Sequence, residues 1–109
     1  FSNSEIAKGI VPVWLPGHTP GHTGFRIDSG GQSLLIGGDI FIYPHIQSAQ
    51  PTVSVLFDVD PAQAEETRRK FLEQVVREKL LIGSMHLGRA GFALVLRGNN
   101  RYHISYPQK

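Results

Sequence analysis

The sequence predicts an α/β (α+β) fold in which one long helix packs against a mixed β-sheet. Three observations lead to this class. Six short apolar segments have the length of strands, one longer segment carries apolar residues at helical spacing, and glycine or proline breaks separate them. The predicted order is β-β-β-α-β-β-β, and residues 1–109 are expected to form a single domain.

Three strands are expected before the helix, at the following positions: Ile10 to Leu15, Gly24 to Asp28 and Gln32 to Ile36. Pro12 favours an edge position for the first, because proline cannot donate to a central ladder. Ser29-Gly30-Gly31 is typical of a hairpin turn between the second and third. The apolar run Leu34-Leu35-Ile36 indicates that the third strand is buried on both faces.

Residues 43–57 are expected to be irregular, because two prolines interrupt any long helix there. The helix is predicted from about residue 61 to 79, with Asp60 as its N-cap. Glutamate–arginine pairs at i,i+4 support it. An apolar stripe should face the sheet, and its residues are Ala64, Phe71, Leu72, Val75 and Val76.

Three further strands follow the helix: Leu80 to Ser84, a segment with alternating Phe92, Leu94 and Leu96, and a last one with Tyr102, Ile104 and Tyr106 on one face. A single helix covers only one face of this sheet, so the other face needs a partner layer. The chain also lacks an initiator methionine. We therefore expect either a missing N-terminal half or a homodimer to cover the second face.

Composition excludes several classes of protein. The net charge of +2 comes from dispersed lysine and arginine, which gives no support for nucleic-acid binding. No apolar stretch approaches the roughly 20 residues that span a bilayer, so no membrane partner is expected. The absence of cysteine excludes disulfides and thiolate ligands, and leaves cytoplasm and periplasm equally open.

Three polar features follow predicted strands: the loop Leu15-Pro16-Gly17-His18-Thr19-Pro20-Gly21-His22-Thr23, the triplet Gly37-Gly38-Asp39, and Ser84-Met85-His86. Imidazole nitrogen and carboxylate oxygen suit zinc or another divalent first-row metal. Taken singly, each is more typical of a structural residue: a histidine that caps a strand, or an aspartate in a turn. Spacing alone leaves both interpretations open.

The motif Pro-Gly-His-Thr-Pro-Gly-His, then a hairpin and Gly-Asp at a strand end, closely resembles the second half of the metallo-β-lactamase superfamily. The likeness continues through Phe57-Asp58-Val59-Asp60-Pro61 and Thr67-Arg68-Arg69-Lys70 to His86. It covers residues 18–106 and is closest to the branch of methyl parathion hydrolase and N-acyl homoserine lactonases. The resemblance implies the C-terminal half of an αββα sandwich.

The resemblance also implies roles for individual residues. His18 would bind one metal and His86 the second, while Asp39 would bridge both and take part in catalysis. His22 matches a position that is not a ligand, and would lie beside the ligands and fix the loop. His45 would lie near the substrate pocket, with a solvated loop histidine as the alternative. His103 is expected at the surface.

The activity implied is hydrolysis by a metal-bound hydroxide, with two divalent ions, zinc first among them, and a small-molecule ester, lactone, thioester or organophosphate as substrate. Two departures matter. The His-x-His-x-Asp-His motif belongs to the preceding half of the fold and is absent, so the fragment alone is expected to be inactive. Leu87-Gly88-Arg89-Ala90-Gly91 replaces a Pro-Phe-Pro-Gly-like loop. The alternative is a non-catalytic half-fold that acts as a binding or self-association module.

Overall fold

The structure is a computed structural model that describes residues 4–55, 58–88 and 91–106. These residues form one six-stranded sheet whose strands are ordered as in the chain. Strands β3 and β4 are parallel, and the other neighbouring pairs are antiparallel. The elements are β1 Ile10–Trp14, β2 Thr23–Ser29, β3 Gln32–Ile36, α1 Pro44–Ala49, α2 Pro61–Arg77, β4 Leu81–Gly83, β5 Phe92–Gly98 and β6 Arg101–Ser105.

The predicted strands and the long helix are present, and β1 lies at an edge of the sheet as Pro12 indicated. The expectation that residues 43–57 are irregular was wrong for Pro44–Ala49, which form the short helix α1, while residues 56 and 57 lie outside the described residues. Pro44 lies in its first turn, where a missing N–H costs nothing. The side-chain oxygen of Gln47 accepts the N–H groups of Ile42 and Tyr43 at 2.7 and 3.0 Å. A buried glutamine therefore accepts hydrogen bonds from backbone N–H groups just before the first turn of this helix.

Helix α2 begins as predicted, since the Asp60 carboxylate accepts the N–H of Gln63 at 3.0 Å. Phe71, Leu72 and Val75 are buried against the sheet. Val76 is only partly buried, contrary to the prediction. It lies on the flank of the helix, in a groove beside β5. None of the helices among the described residues is long and apolar enough to cross a membrane.

The two faces of the sheet differ in how far they are covered. Leu35 points toward α2 and is 0% exposed, whereas Leu34 and Ile36 on the other face are partly exposed. The predicted burial of β3 on both faces is therefore met on one face only. We call the second side the open face, and its apolar residues in register across the strands are Phe25, Ile27, Leu34, Ile36, Leu81, Phe92, Leu94 and Leu96. The exposed fractions of Phe92 and Leu96 reach 43% and 51%.

Candidate metal centre

Three chain segments bring polar side chains to one edge of the sheet. Parallel strands β3 and β4 end at this edge, and they are followed by Asp39 and His86. The loop that carries His18 joins antiparallel β1 and β2, and the start of β2 lies beside the end of β3. The predicted positions His18, Asp39 and His86 therefore converge.

The Asp39 carboxylate lies between the two histidines, each of which faces a different oxygen. The distance from His86 Nε2 to Asp39 Oδ1 is 2.8 Å, and that from His18 Nε2 to Asp39 Oδ2 is 3.3 Å. Donors bound to one metal ion at roughly 2.0–2.2 Å lie about 3 Å apart. Both separations have the size expected of neighbouring ligands.

The other nitrogen of His18 contacts Asp58, a residue to which sequence reasoning gave no role. His18 Nδ1 lies 2.9 Å from Asp58 Oδ1, and the Asp58 side chain is 2% exposed. A carboxylate only accepts, so Nδ1–H donates, and in the neutral ring the lone pair of Nε2 then faces Asp39. Asp58 Oδ2 in turn accepts the N–H of Val55 at 3.3 Å. The stretch Asp58-Val59-Asp60-Pro61 carried the resemblance, but nothing in it distinguished Asp58 from a solvated loop residue.

The His18 loop is fastened to the start of α2. The carbonyl of Gly17 accepts the N–H of Asp60 at 2.9 Å, and that of His18 accepts the N–H of Val59 at 3.1 Å. Gly17 has a φ of +131°, and a Cβ at this position would lie 2.2 Å from the nitrogen of Ala64. Only glycine allows the loop to approach the helix this closely. The helix N-terminus therefore sets the position of His18.

His22 uses both ring nitrogens within the protein. Nδ1–H donates to the carbonyl of Leu15 at 2.7 Å, and Nε2 accepts the backbone N–H of Asp39 at 2.9 Å. Gly38 makes room for the ring, since a Cβ there would lie 2.8 Å from Nε2. His22 therefore has no nitrogen left for a metal in this arrangement, and it links the loop to the end of β3.

A buried arginine underlies the same edge. Arg68 is 2% exposed, and its Nε–H donates to the carbonyl of Ile40 at 2.9 Å. Burial lowers the pKa of its guanidinium, while the nearby carboxylates of Asp58 and Glu65 act in the opposite direction. Sequence reasoning gave Arg68 no role of its own, although it falls on the apolar stripe of α2, four residues after Ala64. A charged residue on that stripe was the available signal.

His45 lies on α1 and is exposed. Its Nε2 is 3.0 Å from the hydroxyl of Tyr106, and the two ring centroids are 5.5 Å apart. Tyr106 also packs beside Gly88, two residues after His86, where a Cβ would lie 3.1 Å from the ring. His45 therefore contacts the flank of this edge and not the carboxylate of Asp39. His103 is exposed, as expected.

These side chains supply part of a metal site. Across residues 4–55, 58–88 and 91–106, no three histidine, aspartate or glutamate side chains group so as to hold one ion. On each side of Asp39 there are only two donors, one carboxylate oxygen and one imidazole nitrogen. Zinc sites use three or four protein ligands. Further ligands would have to come from outside these residues.

Comparison with solved structures gives the same fold. Hydrolase AbOPH of the beta-lactamase superfamily is similar over 100% of this chain, with 24% identity and a TM-score of 0.91. The dizinc quorum-quenching lactonase AidC is similar over 98%, with 25% identity and a TM-score of 0.91. A probable metal-dependent hydrolase from Staphylococcus aureus is similar over 97%, with 20% identity and a TM-score of 0.74.

This chain spans only 38%, 36% and 38% of those three proteins, respectively. No curated protein sequence matches it. The sequence profile described as the Metallo-beta-lactamase superfamily matches residues 3–86, which is more than half of the chain and includes all three converging side chains. The chain therefore belongs to the metallo-beta-lactamase superfamily.

Proposed function

We propose that this chain is the C-terminal portion of a metal-dependent hydrolase and contributes three ligands to a two-metal centre. His18 and His86 would each hold one ion, and Asp39, which lies between the two imidazoles, would contribute a carboxylate oxygen on each side. The observation that carries the proposal is the position of the Asp39 carboxylate between the two imidazoles. Its Oδ2 lies 3.3 Å from His18 Nε2, and its Oδ1 lies 2.8 Å from His86 Nε2.

The chemistry of the donors fits a divalent cation. When the His18 ring is neutral and donates Nδ1–H to Asp58, the lone pair of Nε2 faces a carboxylate oxygen. Two electron-rich acceptors at this distance attract each other only through a proton or a cation between them. Imidazole and carboxylate suit zinc among other metals, and the similar lactonase AidC is a dizinc enzyme. Zinc is therefore the metal that we propose.

Divalent ions bound here would polarise a carbonyl or phosphoryl group and lower the pKa of a coordinated water. The residues of this chain hold the ligands in place. Asp58 fixes the orientation of His18, and His22 fixes the backbone N–H of Asp39. The substrate that we propose is a small ester, lactone, thioester or organophosphate. AidC was solved with the product N-hexanoyl-L-homoserine, so lactones are the first class to test.

We further propose that the rest of the protein covers the open face and supplies the missing ligands. The chain spans under two fifths of the similar structures, and apolar surfaces of this kind are normally covered in proteins. The open face also supports a second candidate, in which this chain is a non-catalytic module that associates with its own copies. Such a module needs no metal at Asp39.

Metal content and hydrolysis separate the two functions. The protein should be expressed with its complete native sequence and beside it the 109-residue chain alone, both with zinc. We expect the complete protein to bind two ions and to hydrolyse lactones or aryl esters, and the chain alone to do neither to a comparable extent. Asp39→Ala should abolish both properties, and His103→Ala serves as the control. A complete protein whose Asp39→Ala variant retains two ions and full turnover would contradict the proposal.

A further inference from the structure

We propose that Arg68 is a positioning residue that holds Asp39 and His18 in their relative places through hydrogen bonds to the chain segments beside them. This inference rests on the proposed metal centre. Arg68 lies on α2 between the helix N-terminus and the core residue Phe71, and the residue is 2% exposed.

The guanidinium joins two segments that are separate in sequence. Its Nε–H donates to the carbonyl of Ile40 at 2.9 Å. Its Nη1 donates to the carbonyl of Pro51 at 2.5 Å and more weakly to that of Val53 at 3.4 Å. Buried carbonyl groups need donors, and the planar fork of arginine reaches several acceptors at once. One side chain thus fastens the segment after β3 to the segment after α1.

The first contact bears on Asp39. Its backbone N–H is held by His22 at 2.9 Å, and the carbonyl of the next residue, Ile40, is held by Arg68 at 2.9 Å. The backbone is therefore fixed on both sides of the carboxylate that we propose as the bridging ligand. Loss of the Arg68 contact would free one of these two sides.

The second contact bears on His18 through Asp58. The segment that Arg68 anchors at Pro51 continues to Val55, whose N–H donates to Asp58 Oδ2 at 3.3 Å. Asp58 Oδ1 in turn accepts from His18 Nδ1 at 2.9 Å. The positive charge of Arg68 also attracts the Asp58 carboxylate. A single buried cation therefore supports both the carboxylate and the first imidazole of the centre.

Metal titration of the full-length protein tests this role. Cobalt(II) is the probe, because its visible absorption reports the geometry of the ligands. Arg68→Met removes every donor, Arg68→Lys retains the charge but loses the fork, and Arg69→Met is the matched control. Arg69 is the next residue on α2, and it is exposed and paired with Glu65 at 3.0 Å. Circular dichroism confirms that each variant is folded at the temperature of the titration.

We expect Arg68→Met to lower cobalt affinity by about tenfold or more and to change the absorption spectrum. Arg68→Lys should change the spectrum less, and Arg69→Met should match the wild type. A folded Arg68→Met with wild-type affinity and spectrum overturns the inference. Should Arg68→Met fail to fold, Arg68→Lys decides: an altered spectrum supports the fork as the positioning element, and an unchanged one overturns it.

Asp39→Ala, titrated in parallel, separates this inference from the proposed function. If Asp39→Ala bound cobalt as the wild type does, the proposed metal centre would be refuted, and the inference about Arg68 with it. If Asp39→Ala lost cobalt binding while both Arg68 variants behaved as the wild type, the proposed metal centre would be supported. Only the positioning role of Arg68 would then be refuted. A general loss of stability cannot imitate the expected result, because the spectrum is measured on folded protein.

Discussion

The imidazole of His22 accepts the backbone N–H of Asp39 at 2.9 Å through Nε2 and donates from Nδ1 to the carbonyl of Leu15 at 2.7 Å. One ring thereby ties the segment after β1 to the segment after β3. Because both bonds need a neutral ring with its proton on Nδ1, His22 acts as a fixed structural link between the two ligand-bearing segments.

Removal of this link should cost stability. In His22→Ala, the N–H of Asp39 and the carbonyl of Leu15 lose their partner, and each partly buried orphan costs about 1–3 kcal/mol. We expect a loss of roughly 2–4 kcal/mol in the free energy of unfolding, measured with denaturant. His103→Ala, at an exposed strand position, should stay within about 0.5 kcal/mol of wild type. Equal stability of the two variants would argue against the link.

Asp58 should control the metal affinity of His18. Asp58→Ala removes the carboxylate that accepts from His18 Nδ1 at 2.9 Å, so the ring is free to rotate and to change tautomer. We expect zinc affinity to fall by about 10–100-fold in a competition titration with a chelator. Asp28→Ala is the control, since Asp28 is an exposed residue paired with Arg26. Unchanged affinity in Asp58→Ala would mean that the loop alone orients His18.

The core beneath α2 should depend on Phe71. Its ring lies 5.9 Å from that of Phe41 in an edge-to-face arrangement, and both residues are buried. Phe71→Ala should lower the free energy of unfolding by about 3–5 kcal/mol, because it removes this contact and leaves a cavity. The neighbouring change Lys70→Ala removes only an exposed i,i+4 ion pair with Glu66, and should cost less than about 0.5 kcal/mol. A small loss for Phe71→Ala would show that the core collapses around the gap.

The open face should make the isolated chain associate. Phe92, Leu94 and Leu96 lie on it and are exposed, and burial of such a surface between two copies is favourable. Sedimentation of the 109-residue chain should detect a dimer or larger species. Leu94→Glu should shift it toward monomer, whereas Gln50→Glu, an exposed residue outside this face, should not. A strict monomer of the unmodified chain would contradict the expectation.

One ion pair should give stability a weak dependence on pH. The hydrogen bond from Arg26 Nη1 to Glu78 at 2.8 Å lowers the pKa of Glu78 below its ordinary value of 4.5. A carboxyl whose pKa is lowered on folding stabilises the native state above its unfolded pKa, and this contribution is lost as pH falls through the folded pKa. Wild type should therefore exceed Glu78→Gln by less than about 1 kcal/mol at pH 7, since the pair is partly solvated. Below pH 4.5, denaturant unfolding should give a smaller difference in the free energy of unfolding between wild type and Glu78→Gln. A difference that does not change with pH would mean that it comes from packing and not from the ion pair.

The sequence by itself determined the order of the strands along the chain and the long helix. Local patterns sufficed for these, because apolar periodicity follows the geometry of a strand or a helix and Asp60 caps its own helix. The three side chains that converge at one edge were identified by the family resemblance, since their spacing alone left a structural role equally open. The predicted strand ends also carried His18, Asp39 and His86. Parallel β3 and β4 place Asp39 and His86 at the same edge, and the pairing of β2 with β3 brings the His18 loop beside them.

The tertiary structure alone decided how those side chains are held. His18 and Asp58 are 40 residues apart, and Arg68 and Ile40 are 28 apart. Helix α1 likewise depends on a buried glutamine that bonds to backbone groups. The periodicity of apolar residues in the sequence does not indicate such contacts. A side chain can bond to a backbone group that is distant in sequence only after the intervening segments have packed. The same reason explains Val76, which belongs to the helical stripe but borders a groove between α2 and β5, so its partial burial reflects packing against another element.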